Sequence, residues 1–313
     1  MTDPLARGVL AGDPRAIGRA ISRVERGADL AGLVREIFPS TGRARVIGVT
    51  GPPGAGKSTL VTRMARAYRD AGKRVGIVAI DPSSPFSGGA ILGDRIRMSE
   101  LDADPGVFIR SMATRGALGG LSRATNDAVD VLDAAGFEIV IVETVGVGQD
   151  EVDVVRAADS VVVVVPPGLG DDIQALKAGI LEIADLFVVN KADREGADRA
   201  AAELEMNLDF SAPQGWRPPI LLTVATKNEG VGAVVERLEA HRAHLAGTGE
   251  DRERRLRRSR ARLRALLEAK FFRAVENDAH NPRGLEDFVV GLTDRAVDPY
   301  SAAEELFRRI AAP

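Results

Sequence analysis

The chain has no cysteine. Disulfides, thiolate metal sites and cysteine nucleophiles are therefore excluded, and a reducing compartment such as the cytoplasm fits best. Histidine is confined to His241, His244 and His280, too few for a transition-metal cluster; His241 and His244 read as the solvated face of a helix. Aromatics make up only 4% of the 313 residues against 45% hydrophobic, so the core must come from Val, Ala, Leu and Ile. No run is apolar and long enough to span a bilayer, and the opening MTDPLARGVLAGDPRA has no signal-peptide core. The formal net charge of −3 supplies no general attraction to nucleic acid or anionic membrane. Neither is expected as a partner.

What is present is a change of rhythm along the chain. Residues 1–40 read as short helices: Leu5, Val9, Leu10, Ile17 and Ile21 are spaced as one apolar face, and Asp13-Pro14 is a start signal. From Arg45, apolar runs (RVIGVT, RVGIVAI, IVIVE, SVVVVV, LFVVN, ILLTV) alternate with helical stretches at 57–71, 121–135, 172–183, 197–208 and 231–245. Continuous apolar strands separated by helices predict a doubly wound, mostly parallel α/β sheet over 41–246. The stretch 247–313 then begins with a hinge, GTGE, and continues as an Arg-rich helix with eight arginines between Arg252 and Arg264. Leu256, Leu263, Leu267 and Phe271 share one face of it, and two more helices follow near 284–291 and 299–310. A solvated helix balanced by Glu250, Asp251 and Glu253, an anion-binding patch and a dimer-forming arm all fit this pattern.

The strongest motif follows the first strand: Gly51-Pro-Pro-Gly54-Ala55-Gly56-Lys57-Ser58-Thr59 opens a helix, the context of a phosphate-binding loop. Its glycines let backbone N–H groups turn onto phosphate oxygens, the helix N-terminus adds a favourable dipole, and Lys57 supplies a cation. Ser58 is a candidate Mg²⁺ ligand. Glu143, ending IVIVE, occupies the second acidic position with Gly146 after it; being longer than the usual aspartate, it is expected to reach the metal through water. Val147 stands where a water-orienting glutamine sits in Ras-like enzymes, so hydrolysis by the isolated chain is expected to be slow, with Gln149 a weaker candidate. Asp81, Asp94 and Arg97 lie in the Gly-, Ser- and Pro-rich connection after the second core strand, where they can serve metal, nucleophile and charge.

A second motif, Asn190-Lys191-Ala192-Asp193, ends another strand. Asp193 can accept from guanine N1–H and N2–H₂, a donor pair adenine lacks, while Lys191 covers the base and Asn190 ties the loop. Ala225, after ILLTV, is expected to offer a backbone amide to the base. The reading is therefore a P-loop domain that binds GTP or GDP with Mg²⁺.

The combination of GPPGAGKST, VAIDPSSPFSGGAILGDRIRM, ETVGVGQDE, PPGLGDDIQALKAGILEIAD and VNKAD resembles the methylmalonyl-CoA mutase-associated GTPases, the MeaB/ArgK family. The resemblance implies a GTP-hydrolysing chaperone that gates cofactor loading and protects an adenosylcobalamin-dependent acyl-CoA mutase, working as a homodimer joined through the C-terminal helices. It further implies metal or switch roles for Asp81, Asp94, Glu143 and Arg97, and a relay to the mutase through Asp171, Gln174 and Lys177. Two other functions compete: an ATPase or kinase tied to lysine, arginine and ornithine transport, against which NKAD argues, and a metal-insertion GTPase.

Overall fold

The computed structural model describes residues 3–26, 30–81, 98–101, 103–113, 120–144, 158–168, 183–211, 215–276 and 284–311. Contacts divide them into one unit up to Arg252 and a second from Glu253 onward.

The first unit is built on a sheet of seven parallel strands, β1 (Arg45–Thr50), β2 (Val75–Asp81), β3 (Val107–Ala113), β4 (Ile139–Thr144), β5 (Ser160–Val165), β6 (Leu186–Asn190) and β7 (Ile220–Thr223). Their order is β3-β2-β4-β1-β5-β6-β7. Every residue of β4, β5 and β6 is buried, which is why these strands read as unbroken apolar runs: both faces are covered, so alternation carries no polarity. The period of two survives in which core each side chain joins. Ile139 and Ile141 of β4, with Val162 and Val164 of β5, pack under helices α4 (Lys57–Asp70) and α7 (Val231–Thr248). On the other face Val140 and Val142 meet α5 (Gly120–Ala134) and the N-terminal helices, while Val161, Val163 and Val165 meet α6 (Ala197–Ser211).

The N-terminal helices are α1 (Pro4–Leu10), α2 (Pro14–Glu25) and α3 (Ala31–Ile37). Asp3 and Asp13 cap the first two, accepting from Leu5 N at 2.9 Å and Arg15 N at 3.0 Å, and a proline follows each cap where no N–H is needed. Val9, Ile17 and Ile21 are fully buried. Leu10 departs from the expected face: it is 44% exposed because Val9 takes the inward position. Asp133 of α5 pins the approach to β1 by accepting from the backbone amides of Gly42 at 2.5 Å and Ala44 at 2.9 Å.

β3 is absent from the strands expected from the sequence. Among the described residues it is an edge strand bonded only to β2, so it tolerates Arg110, whose guanidinium pairs with Glu25 and bonds Ser22 Oγ at 3.0 Å on α2. The helix expected over 172–183 falls almost wholly outside the described residues.

In the second unit, the rest of the Arg-rich helix α8 (Glu250–Glu276) is followed by α9 (Gly284–Thr293) and α10 (Pro299–Ala311). Phe271 stacks on Phe307 with centroids 6.0 Å apart, and the Arg309 guanidinium lies 5.3 Å from the Phe288 ring centroid. Leu256, Leu263 and Leu267 are exposed on the single chain.

The reading of His241 as a solvated residue is wrong. Helix α7 buries Val231, Val234, Leu238, His241 and Leu245, a stripe at three- and four-residue steps that includes the imidazole. Ser160 Oγ lies 2.8 Å from its Nδ1, Asp185 Oδ1 lies 3.3 Å from its Nε2, and the Trp216 ring is 4.9 Å away. His244 is half-buried, its ring centroid 5.3 Å from that of the same indole. This polar joint ties α7 to the N-terminal edge of the sheet, where β5 starts and β6 is about to start. His241→Ala removes a buried ring and leaves Ser160 and Asp185 short of a partner, so denaturant unfolding should show a loss of about 2–4 kcal/mol. Ligand affinity at the opposite sheet edge, measured on the folded fraction, should stay at the wild-type value.

Candidate nucleotide-binding site

The order of strands changes direction at β1, whose neighbours are β4 on one side and β5 on the other. In a doubly wound sheet the crevice beyond the carboxyl ends of the strands at such a point receives the ligand. The loop Gly51–Gly56 leaves β1 into that crevice and enters α4.

Close approach dictates its glycines. Gly51 has φ 142°, and a Cβ there would stand 2.0 Å from the Val164 carbonyl oxygen. Gly56 has φ 91°, and a Cβ would stand 2.3 Å from Asn190 Nδ2. Any side chain at either position drives the loop off β5 or β6. Gly54, with φ 78°, has open space, so backbone conformation alone selects glycine there. Gly56 is also the N-cap of α4 and has no side chain to cap it, which leaves the first-turn amides to an anion. Ala55 of the loop is buried and Thr59 is half-buried in the first turn of α4.

Lys57 is 6% exposed, and its ammonium donates to the carbonyls of Gly51 at 2.8 Å and Pro52 at 3.0 Å. The loop thus holds the cation at its own mouth. Ser58 Oγ donates to Glu143 Oε1 at 2.6 Å, both side chains being buried. Glu143 therefore reaches the serine directly, its side chain spanning the distance from β4 to the first turn of α4. The register pairs Ala79 with Glu143, so Asp81, two residues further on, ends β2 at the same sheet edge. The side chain of Asp81, and Asp94, Arg97, Gly146, Val147, Gln149, Asp171, Gln174 and Lys177, lie outside the described residues.

The second loop is bolted to the first. Asn190, 2% exposed at the end of β6, donates from Nδ2 to Ala55 O at 2.9 Å and to Gly56 O at 3.5 Å. Its Oδ1 accepts from Thr223 Oγ1 and from the Ala225 amide, each at 3.1 Å. The Ala225 N–H thus donates to Asn190: a buried carbonyl oxygen on Asn190 requires donors, and Ala225 is one. Lys191 adopts φ 62° and donates from Nζ to Gly54 O at 2.7 Å. This left-handed backbone costs a non-glycine residue energy, here offset by the contacts fixed on both sides. Asp193, 41% exposed, pairs with Lys227 at 3.2 Å. Sequence reasoning missed Lys227 and Thr223; the sign of Lys227 was the polar TKN run at 226–228, and Thr223 is the one polar residue within ILLTV.

The site thus sets an anion-binding helix terminus with a lysine, a buried hydroxyl–carboxylate pair, and an exposed carboxylate on a loop braced against the phosphate loop. That set suits a nucleoside triphosphate whose base presents two adjacent donors, namely guanine. Asp193→Asn replaces one acceptor by a donor, so competition binding should show preference moving from GTP to xanthosine triphosphate by about tenfold or more; an unchanged GTP preference contradicts the assignment.

Comparison with known proteins agrees with this geometry. The family described as methylmalonyl-CoA mutase-associated GTPase MeaB matches residues 15–280. A Pyrococcus abyssi protein named provisionally as a GTPase is 49% identical over 316 residues, covering 99% of this chain and 97% of its own length. The mouse mitochondrial methylmalonic aciduria type A homolog is 38% identical over 209 residues, 65% of this chain and 50% of that protein. The solved structure of an LAO/AO transport system kinase superposes with a TM-score of 0.73 at 25% identity, over 98% of this chain and 97% of that one. With its phosphate loop, its NKAD loop and a family match spanning most of its length, this chain belongs to the MeaB family of methylmalonyl-CoA mutase-associated GTPases.

Proposed function

We propose that this GTPase is a chaperone for an adenosylcobalamin-dependent acyl-CoA mutase, gating cofactor loading and protecting the mutase from inactive cobalamin. The observation that carries the reading is the family match over residues 15–280, whose description names association with methylmalonyl-CoA mutase. The guanine-selecting loop weighs against the rival reading, an ATPase energising transport.

Magnesium belongs to the proposal. Ser58 and Glu143 form a buried pair of hard oxygen donors, 2.6 Å apart, of the kind Mg²⁺ takes, so the residues present fit the ion; Asp81 and Asp94 complete the proposed set. Held by these oxygens, the ion would supply positive charge to balance that developing on the phosphates. The chain's own groups do the rest. The α4 terminus and Lys57 hold the triphosphate, Glu143 orients the Ser58 hydroxyl, Asp193 fixes the base, and Arg97 is the proposed charge carrier near the γ-phosphate.

The proposed assembly is a homodimer through the second unit, supported by the exposed Leu256, Leu263 and Leu267. The proposed setting is the cytoplasm; among the described residues no helix is long and apolar enough to cross a membrane.

Val147 in place of a water-orienting glutamine makes slow turnover by the isolated chain the expectation, with the mutase completing the site by ordering the switches. Phosphate release is to be measured with and without adenosylcobalamin-dependent mutases. Acceleration by one of them is expected, and Lys177→Ala should keep GTP affinity while losing most of that acceleration. A fast isolated enzyme, or full activation of Lys177→Ala, contradicts the proposed coupling.

A further inference from the structure

Outside the motifs, one side chain touches both the base-recognition loop and the segment that follows the stretch 82–97. Arg63 lies on α4, two turns from the phosphate loop, and is 23% exposed. Its Nε donates to the carbonyl oxygen of Ala225 at 3.3 Å. Its Nη1 lies 3.4 Å from Glu100 Oε2, and Arg66, one helical turn on, holds the same oxygen at 2.9 Å. Glu100 belongs to the 3₁₀ turn Ser99–Leu101. That turn is anchored in the core under α4 by Met98 and Leu101, which are 0% and 2% exposed.

The 3₁₀ turn Ala225–Lys227 is consequently held at three polar points. Its leading amide is bonded to Asn190, its Ala225 carbonyl to Arg63, and the Lys227 ammonium to Asp193. Asn190 braces the base loop from β6, and Arg63 braces it from α4. A guanidinium suits this position because it offers donors in a fixed fork, so one planar group satisfies a carbonyl and a carboxylate at once.

We propose that Arg63, oriented by Glu100, is a positioning residue for guanine: it holds the Ala225 turn, and through it Asn190 and Asp193, in the arrangement that retains the base. It acts through the loop and does not touch the nucleotide. The inference rests on the base-pocket reading of Asn190 and Asp193. Since α4 also carries Lys57 and Ser58, Arg63 ties the position of the base loop to the helix that binds the phosphates.

The test is the release rate of fluorescently labelled GDP from the full-length wild type, Arg63→Gln, Glu100→Gln and the double variant, with kcat and KM for GTP alongside. Arg63→Gln is expected to release GDP about three- to tenfold faster, the effect of losing a typical hydrogen bond. It should raise KM in step and leave kcat close to wild type. Glu100→Gln should accelerate release by a smaller factor, and the double variant should be no faster than Arg63→Gln, because both changes break one chain of contacts. Wild-type release from Arg63→Gln, or two effects that multiply in the double variant, overturns the inference. Binding of ADP and GDP to the wild type separates the two readings. Equal affinities remove the base pocket and this inference with it, whereas a guanine preference beside unaltered release in Arg63→Gln removes this inference alone.

Discussion

A single buried amide holds the site together. Asn190 spends its donors on the carbonyls of Ala55 and Gly56 and its acceptor on Thr223 and Ala225. The loop that binds phosphates and the loop that reads the base are therefore fixed to each other through a side chain 2% exposed. A buried amide left without these partners costs free energy, so neither loop can shift without the other. Much local detail follows. Gly56 has no room for a Cβ because Nδ2 stands 2.3 Å from where it would lie, and Lys191 keeps a left-handed backbone because both its neighbours in space are fixed.

The sheet places this joint. β1 lies between β4 and β5, so its outgoing loop can meet Glu143 at the end of one neighbour and Val164 near the end of the other. The opposite edge carries a second polar joint, His241 with Ser160, Asp185 and Trp216. It holds α7 against the starts of the strands and leaves the carboxyl edge to the ligand. One edge of the sheet is built for stability and the other for binding.

How much of this the sequence reveals depends on how local the cause is. The phosphate loop and NKAD are legible because backbone conformation and base chemistry demand particular residues at fixed spacing. β4 to β6 are legible because burial on both faces leaves only Val, Ile, Leu and Phe in their middles. β3 escapes because an edge strand can afford Arg110, whose partner lies on a distant helix. His241 escapes because residue type outweighed position: the stripe Val234, Leu238, His241, Leu245 was in the spacing, but a histidine pair suggests solvent until a buried serine and aspartate are seen beside it. Arg63 escapes for a further reason. Which of two nearby acceptors a donor chooses is settled by tertiary contacts that no single segment encodes.

The central claim, that the phosphate and base loops are one unit joined by Asn190, is tested most directly by calorimetric titration of Asn190→Ala with GTP and ATP. Leaving the Thr223 and Ala225 donors and the two phosphate-loop carbonyls without their partner should weaken GTP binding by about 10- to 100-fold, and most of the preference over ATP should vanish with it. GTP affinity within about twofold of wild type, with its preference over ATP intact, would contradict the account.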